Sequence, residues 1–287
     1  MRLQGAGVTG TTVLEGNEER LTTYSNSVSL QQYRHAVRDD GELSRQRAMF
    51  SISDESRVAI KDWMTERIDQ LKFDALGIGA GTTVEPSKIF YKTSATAFLA
   101  TGTAATAKTA LSATSGAGFL TLNFISFIKA WAKTGGNRQQ TPLRPVKVNG
   151  KEYYVLVVHP DCLFDLKASS EYQQAQREAQ ERGKDHILFT GASAVWDGVV
   201  IHEHENCEIR ADGGGASVPW ARAAFLGAQS AVWAWGKRPE VIEKDFDYDN
   251  EKGYAINMIA GVARSRYNSL DFGSLGVYLA RTNVSGA

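Results

Sequence analysis

Between Ser53 and Leu76 the residues Ile60, Met64, Ile68, Leu71 and Ala75 recur at spacings of four, four, three and four, with Trp63 beside them. That is the period of an amphipathic helix with one apolar stripe. Ser53 supplies an N-cap, Asp54 and Glu55 place acids where they oppose the helix dipole, and Gly77 supplies the stop. About 23 residues at 1.5 Å each make a rod of roughly 35 Å.

The segment ahead of the rod has little to bury. Residues 1–24 are rich in glycine and threonine, and Gly5, Gly7 and Gly10 stand in the spacing G-x-G-x-x-G. A dinucleotide-binding turn requires a strand running into the glycines and a helix leaving them, so that pyrophosphate meets free backbone amides. Only Met1–Gln4 precede Gly5, and Thr11–Asn17 carry no helical period. The ribose-binding acid belongs about 20 residues downstream. Glu18 and Glu19 come too early for it, and Asp39 and Asp40 too late. The glycines therefore predict a loop tip needing positive φ. Val28, Leu30, Gln32 and Arg34 alternate with Ser27, Ser29, Gln31 and Tyr33, which predicts an extended arm with a mobile tip.

At 287 residues the chain is long enough for one large domain or two modest ones. Lys plus Arg equals Asp plus Glu at 32 each, so no overall field draws the protein toward nucleic acid or an anionic membrane. Cys162 and Cys207 make no disulfide framework and read as free thiols. The N-terminus lacks the apolar run of a secretory signal, and the most apolar stretch, Gly118–Trp131, is interrupted by Asn123 and Lys129.

Further along, Ser94–Gly118 is mostly Ala, Thr, Ser and Gly and predicts a loose connector. Leu122–Lys133 predicts a second amphipathic helix ending at Gly135–Gly136. Tyr153–Val158 reads as a buried strand ended by His159–Pro160, and Asp161–Leu166 as a helical turn. Glu171–Arg182 reads as a surface helix, and Trp196–His204 as a strand. Asp212–Ser217 predicts a loop, and Trp220–Trp235 a strand of a layered sheet. Val241–Tyr248 and Tyr254–Tyr267 predict a long hairpin closed by Asp249–Gly253. The class is α+β, with helices and antiparallel strands segregated and no βαβ rhythm.

The residues that invite a chemical reading are few. "IHEHENC", residues 201–207, offers His202, Glu203, His204, Glu205 and Cys207. Strand geometry puts His202 and His204 on one face, but zinc needs further ligands, with His159 and His186 as candidates. "DFDYDN", residues 245–250, imitates the opening of a calcium loop, yet Asn250 stands at the sixth position and Ile256 at the twelfth. "GASAV" at 191–195 lacks the second glycine of a nucleophile elbow. His159 beside Asp161 reads as a strand terminus, and Trp131, Trp233 and Trp235 as core or interface anchors.

"LQGAGVTGTTVLEGNEERL", "SVSLQQYRHAVRDDGELSRQR", "WMTERIDQLKFDAL", "VLVVHPDCLFDL", "ILFTGASAVWDGVVIHEHENC" and "DFDYDNEKGYAINMIAGVARSRYN" together resemble, in order, the major capsid protein family of tailed phages typified by phage N4. The resemblance spans nearly the whole chain. It implies the HK97-like fold: an extended loop and returning strand over 1–52, a spine helix and peripheral domain over 53–159, an axial domain over 160–220, and a return to the peripheral domain over 221–287. The strand at Tyr153 and the terminal hairpin would both be peripheral. Gly5, Gly7, Gly10, Glu15, Glu18 and Glu19 would belong to an inter-subunit loop reaching over a neighbour.

The implied function is structural, with no catalytic residue, cofactor or metal. Copies would assemble into hexamers and pentamers of an icosahedral shell enclosing double-stranded DNA without sequence specificity, alongside portal, scaffold and decoration proteins. The site of manufacture would be the host cytoplasm and the destination the virion, with no membrane contact. Family members carry an N-terminal arm and an outgoing loop strand before the point where this chain begins, so a trimmed chain or a short member is expected. The alternatives are a metal-dependent enzyme using His202 and His204, and a monomeric binding module with a mobile N-terminal loop.

Overall fold

The computed structural model describes residues 7–18, 25–82, 84–94, 97–101, 103–111, 117–135, 142–178, 194–213 and 218–282. The first half of the chain contributes β1 (Gln31–Arg38), α1 (Glu42–Arg47), α2 (Ile52–Leu76), β2 (Ile89–Lys92), β3 (Phe98–Thr101), α3 (Ala104–Ala110) and α4 (Leu122–Thr134). The middle adds β4 (Val146–Val148), β5 (Lys151–Val158), α5 (Pro160–Ala168), α6 (Ser170–Glu178), β6 (Ala194–Trp196), β7 (Val199–Glu203) and β8 (Ile209–Gly213). The last third is all strand: β9 (Val218–Leu226), β10 (Ala231–Phe246), β11 (Glu251–Arg264), β12 (Arg266–Tyr267), β13 (Leu270–Asp271) and β14 (Ser274–Ala280).

Helix α2 is the expected rod, 25 residues long and so about 37 Å. Its N-cap is Ser51, not Ser53: the Ser51 side chain accepts from the Asp54 amide at 3.3 Å. A cap serves the free amide three residues on, so Ser51 pairs with the first acid and Ser53 falls inside the first turn. Ile60 and Met64 are buried against Tyr254, Ile256, Met258 and Ala260 of β11, with Trp63, Ile68 and Leu71 extending the contact. The helical stripe meets the alternate residues of one strand face. That strand is the centre of a three-stranded antiparallel sheet in the order β1-β11-β10.

The hairpin's turn lies earlier than expected. Strands β10 and β11 pair from Ala231↔Arg264 to Phe246↔Glu251, so the turn is 247–250 rather than 249–253. Gly253 sits inside β11, where a Cβ would lie 2.7 Å from the Phe246 ring. The glycine there makes room for an aromatic side chain, a use that local sequence does not distinguish from turning.

The second sheet has nine strands in the order β3-β2-β14-β9-β5-β7-β6, with β4 added to β5 and β8 to β9. Alternate residues of β5 serve two cores. Tyr154, Leu156 and Val158 pack with Phe124, Ile125 and Ile128 of α4 and Cys162, Leu163 and Leu166 of α5. Val155 and Val157 lie with Ile78, Cys207 and the α2 residues Phe73 and Leu76. On the α3 side, Ala104, Ala107 and Leu111 pack with Ile89, Tyr91, Trp220 and Tyr278.

Several expectations change. The Ser94–Gly118 stretch is not a loose connector where it is described: it forms β3 and α3, because alanines favour helix and let it lie close against bulky sheet residues. Strands are not all antiparallel, since β5 pairs parallel with β7 and β14 with β2. The first pair is bridged by α5 and α6, which makes it a crossover unit. Trp220–Trp235 is two strands in two sheets, broken where Gly227 donates to Gly273 O at 2.9 Å and Ala228 to Arg144 O at 2.7 Å. Trp196–His204 is a hairpin, β6 and β7, turning at Asp197–Gly198. The surface helix is described to Glu178. The boundary drawn at 220/221 falls inside β9, and β5 shares a sheet with β7 and β9 rather than with the terminal hairpin.

A buried ionic joint ties the two sheets together. After Gly77 caps α2, the Glu208 amide donates to Ile78 O at 2.8 Å, and Gly79 bridges Cys207. The Glu208 carboxylate, 2% exposed, lies 2.8 Å from Arg222 Nε of β9 and accepts from Arg210 Nε at 2.8 Å. Arg222 Nη1 donates to Thr82 O at 3.1 Å. A second buried pair joins Arg264, at the end of β11, to Asp271 at 3.0 Å, and Asp271 exchanges hydrogen bonds with Ser87. The C-terminal strand is fastened by Arg281 to Asp161 and by the Thr282 amide to Asp165 at 2.8 Å.

Two predictions follow from these joints. Removing one partner of a buried pair strands the other charge, so Glu208→Gln should lower unfolding free energy by about 3–5 kcal/mol. Glu208→Leu with Arg222→Met should recover more than half of that in urea titration; a single-variant loss within experimental error would contradict the joint. The other concerns His159, which caps α5 by accepting from the Asp161 amide at 3.2 Å through Nδ1. Burial holds its pKa below the ordinary imidazole value, with Asp161 opposing and Arg281 adding to the shift. The unfolded chain then binds the proton first, so stability falls as pH drops through about 6.5. His159→Asn keeps an acceptor that does not titrate and should flatten the fall in melting temperature between about pH 8 and pH 5.5. An unchanged pH profile would rule this contribution out.

Candidate assembly surfaces

Within residues 7–18 the glycines have the backbone that the sequence predicts. Gly7, Gly10 and Gly16 have φ of 72°, 73° and 89°, and a Cβ on any of them would meet nothing within 4 Å. Conformation, not crowding, requires glycine there. The turn is closed locally: the Asn17 amide donates to Leu14 O at 2.9 Å, the Gly16 amide to the Glu18 carboxylate at 2.8 Å, and Asn17 Nδ2 to Val13 O at 2.9 Å. Among the described residues, every hydrogen bond of this segment is internal to it. Val13 is 67% exposed and Leu14 61%. Gly5 and Glu19 lie outside the described residues. Glu18 thus holds the turn together, and Glu15 is exposed at its tip.

The root of the arm is fixed. Asn26 donates to Arg264 O at 2.8 Å, and β1 pairs with β11 from Gln31↔Ala260 to Arg38↔Gly253. The result is a short apolar turn flanked by carboxylates, presented on a strand that belongs to the α2 layer. Two apolar side chains, Val13 and Leu14, are thus uncovered on a turn closed by local hydrogen bonds.

The "IHEHENC" stretch makes packing and turn contacts. His202 is exposed near the end of β7, while His204 is half-buried with its ring 4.4 Å from Phe73 of α2. His204 Nδ1 accepts from the Asn206 amide at 3.1 Å. Cys207 is buried, and burial pushes its thiol up to about 12, so the sulfur stays protonated and is a poor ligand. Cys162 is buried too, and its thiol is likewise raised by burial. Beside this stretch a cavity of about 530 Å³ is lined by Trp63, Arg67, Phe73, Glu205 and Asn206 among others. Among the described residues no three His, Cys, Asp or Glu side chains are grouped to hold a metal ion. His186 lies outside them. His159, the other proposed ligand, is occupied in capping α5.

"DFDYDN" is the end of β10 and its turn, with Asp245 opposite Lys252. Nothing in the sequence marks two further features. Met49 and Phe50, between α1 and α2, are 103% and 64% exposed, and Tyr248 at the hairpin turn is 105% exposed. Isolated exposed apolar residues are common, and only their shared position at one end of the α2 layer distinguishes these. Among the described residues no helix is long and apolar enough to cross a membrane.

The comparisons with known proteins agree with a contact-making rather than a catalytic surface. A family model described as phage capsid protein matches residues 1–280. The major capsid protein of Pseudomonas phage KPP25 is 30% identical, covering 96% of this chain and 80% of that protein. The capsid of Ralstonia phage GP4 superimposes with a TM-score of 0.79 at 27% identity, covering all of this chain and 83% of the other. The capsid protein of cyanophage Pam1 has the same fold, with a TM-score of 0.73 at 20% identity over 98% of this chain and 83% of its own. The architecture is the HK97-like capsid fold. With a match running from the glycine-rich arm through the last strand, this chain belongs to the phage capsid protein family and is a structural subunit of a phage capsid.

Proposed function

We propose that the chain is the self-assembling subunit of an icosahedral shell, arranged as hexamers and pentamers around packaged double-stranded DNA. The observation that carries this reading is the arm: among the described residues, the hydrogen bonds of residues 7–18 are all internal to the segment, and Val13 and Leu14 are uncovered. A neighbouring copy that covers them would complete the burial that the subunit alone lacks. Residues 1–52 act as the extended loop with its returning strand. The spine α2 and the β10–β11 hairpin are peripheral, and residues 160–220 line the capsomer axis while sharing strands with the central sheet. Gly5, Gly7, Gly10, Glu15, Glu18 and Glu19 form the inter-subunit loop.

The equal numbers of acidic and basic residues suit a shell that holds DNA by confinement, without reading its sequence. Synthesis takes place in the host bacterial cytoplasm, with portal, scaffold and decoration proteins as further partners of the shell. A metal-dependent role for His202 and His204 is supported by no observation.

Deleting Arg2–Tyr24 should leave the circular dichroism spectrum and melting temperature close to those of the full chain while weakening association in sedimentation velocity. Assembly unchanged by the deletion would remove the arm from the interface. Negative-stain electron microscopy of the purified full chain should show capsomer-sized rings or shells; a monomer at every concentration tested would contradict self-assembly.

A further inference from the structure

Past the end of α4, Leu143 and Arg144 with the proline on either side form one wall of a cavity of about 610 Å³. That is the volume of a small-ligand site. Tyr154 of β5 and Gln229 of the β9–β10 connection line it from a second direction, and Tyr267 and Phe272 from the β12–β13 hairpin.

The walls are fastened to one another through backbone. The Leu143 amide donates to Ala132 O at 2.9 Å, the Ala228 amide to Arg144 O at 2.7 Å, and the Phe272 amide to Ser265 O at 3.3 Å. The Ser265 amide donates in turn to Ser230 O at 3.2 Å. Gln229 has a φ of 61°, rare for a residue with a side chain. Its backbone lies close on Gly273, where a Cβ would come within 2.5 Å of Gln229 O. Such strain persists only where surrounding contacts impose it, and it gathers at ligand sites. Asn268 and Ser269, with φ of 49° and 61°, supply the two left-handed residues of a tight hairpin turn, which sets Tyr267 opposite Leu270. The cavity is therefore a formed feature of the subunit.

Its lining combines apolar walls with unspent positive charge. The Tyr154 hydroxyl is committed to Leu143 O at 3.1 Å, and Tyr267, Phe272 and Pro145 are half-buried at the cavity. Glu152 is shared between Lys133 at 3.3 Å and Lys147 at 4.0 Å. Arg144 is exposed on the rim, and among the described residues its guanidinium has no carboxylate partner. Three cations are thus set against one carboxylate, and one of the three is unengaged.

We infer that this cavity binds a small aromatic anion, with Arg144 taking the charge and Tyr267 and Phe272 the ring. A guanidinium pairs with a carboxylate, sulfonate or phosphate through parallel N–H donors, and aromatic walls favour offset or edge contacts with another ring. A small molecule fits better than an extended peptide, because the wall amides and carbonyls named above are already spent on one another and offer no ladder for a strand. The inference is independent of how copies of the chain assemble.

The test is fluorescence titration of the full chain with 8-anilinonaphthalene-1-sulfonate, an aromatic anion, beside the neutral N-phenyl-1-naphthylamine. The sulfonate should bind saturably and about tenfold more tightly than the neutral probe. Arg144→Gln should raise the sulfonate's Kd by about tenfold while moving the neutral probe's by less than about twofold. Its melting temperature should match the parent's, since the side chain is exposed. Tyr267→Ala should weaken both probes. Val13→Ser with Leu14→Ser removes the apolar pair of the arm and should leave sulfonate binding unchanged. Sulfonate binding that is absent, that survives Arg144→Gln unchanged, or that disappears with the arm pair overturns the inference.

Discussion

The direction of α2 is held by the joint at which the helix ends. Glu208 and Arg222 are nearly inaccessible to solvent, and they are reached from opposite directions: Arg222 from the middle of β9, Glu208 from the loop that follows β7. Between them they grip the backbone at Ile78 and Thr82, just past the helix cap. A buried ion pair contributes little net stability relative to an apolar pair, but it specifies geometry, because each charge has few alternatives. Here it fixes the direction in which a rod of about 37 Å leaves the nine-stranded sheet. The three-stranded sheet rides on that rod, so the arm and the hairpin turn inherit their positions from the joint.

That arrangement accounts for a subunit whose functional surfaces are far from its core. The apolar clusters around α3, α4, α5 and the nine-stranded sheet contain the largest buried side chains, while β10 is exposed along most of its length. The edge is protected against indiscriminate strand pairing: Lys237, Arg238 and Pro239 stand where the register of β10 shifts twice. The turns at 14–17 and 247–250 each close a local backbone hydrogen bond, Asn17 to Leu14 and Asn250 to Asp247.

What could be read from sequence divides along physical lines. The α2 and α4 helices were legible because their stripes and stop glycines are local, and β5 because its apolar run is bounded by polar residues and His159–Pro160. The resemblance across the whole chain carried the family, which no single motif encodes. Helix α3 was hidden by its composition: Ala104 and Ala107 signal flexibility when counted and close packing when seen against Trp220 and Tyr278. Gly253 looked like a turn residue because nothing local announces that Phe246 needs its space. The parallel pairs and the Glu208–Arg222 joint depend on segments brought together by topology. The lure of His202 and His204 dissolved for the same reason, since a ligand set is a property of convergence and His204 is engaged with Phe73 and Asn206.

In the proposed assembly the arm's burial is completed by a neighbouring copy. Hydrogen–deuterium exchange on the free subunit and on the assembled shell tests it directly. Residues 7–18 should exchange rapidly in the free subunit and become protected on assembly, while α2 and the central sheet remain protected in both states. An arm equally protected in the free subunit, or still fully exchanging in the shell, would contradict the claim.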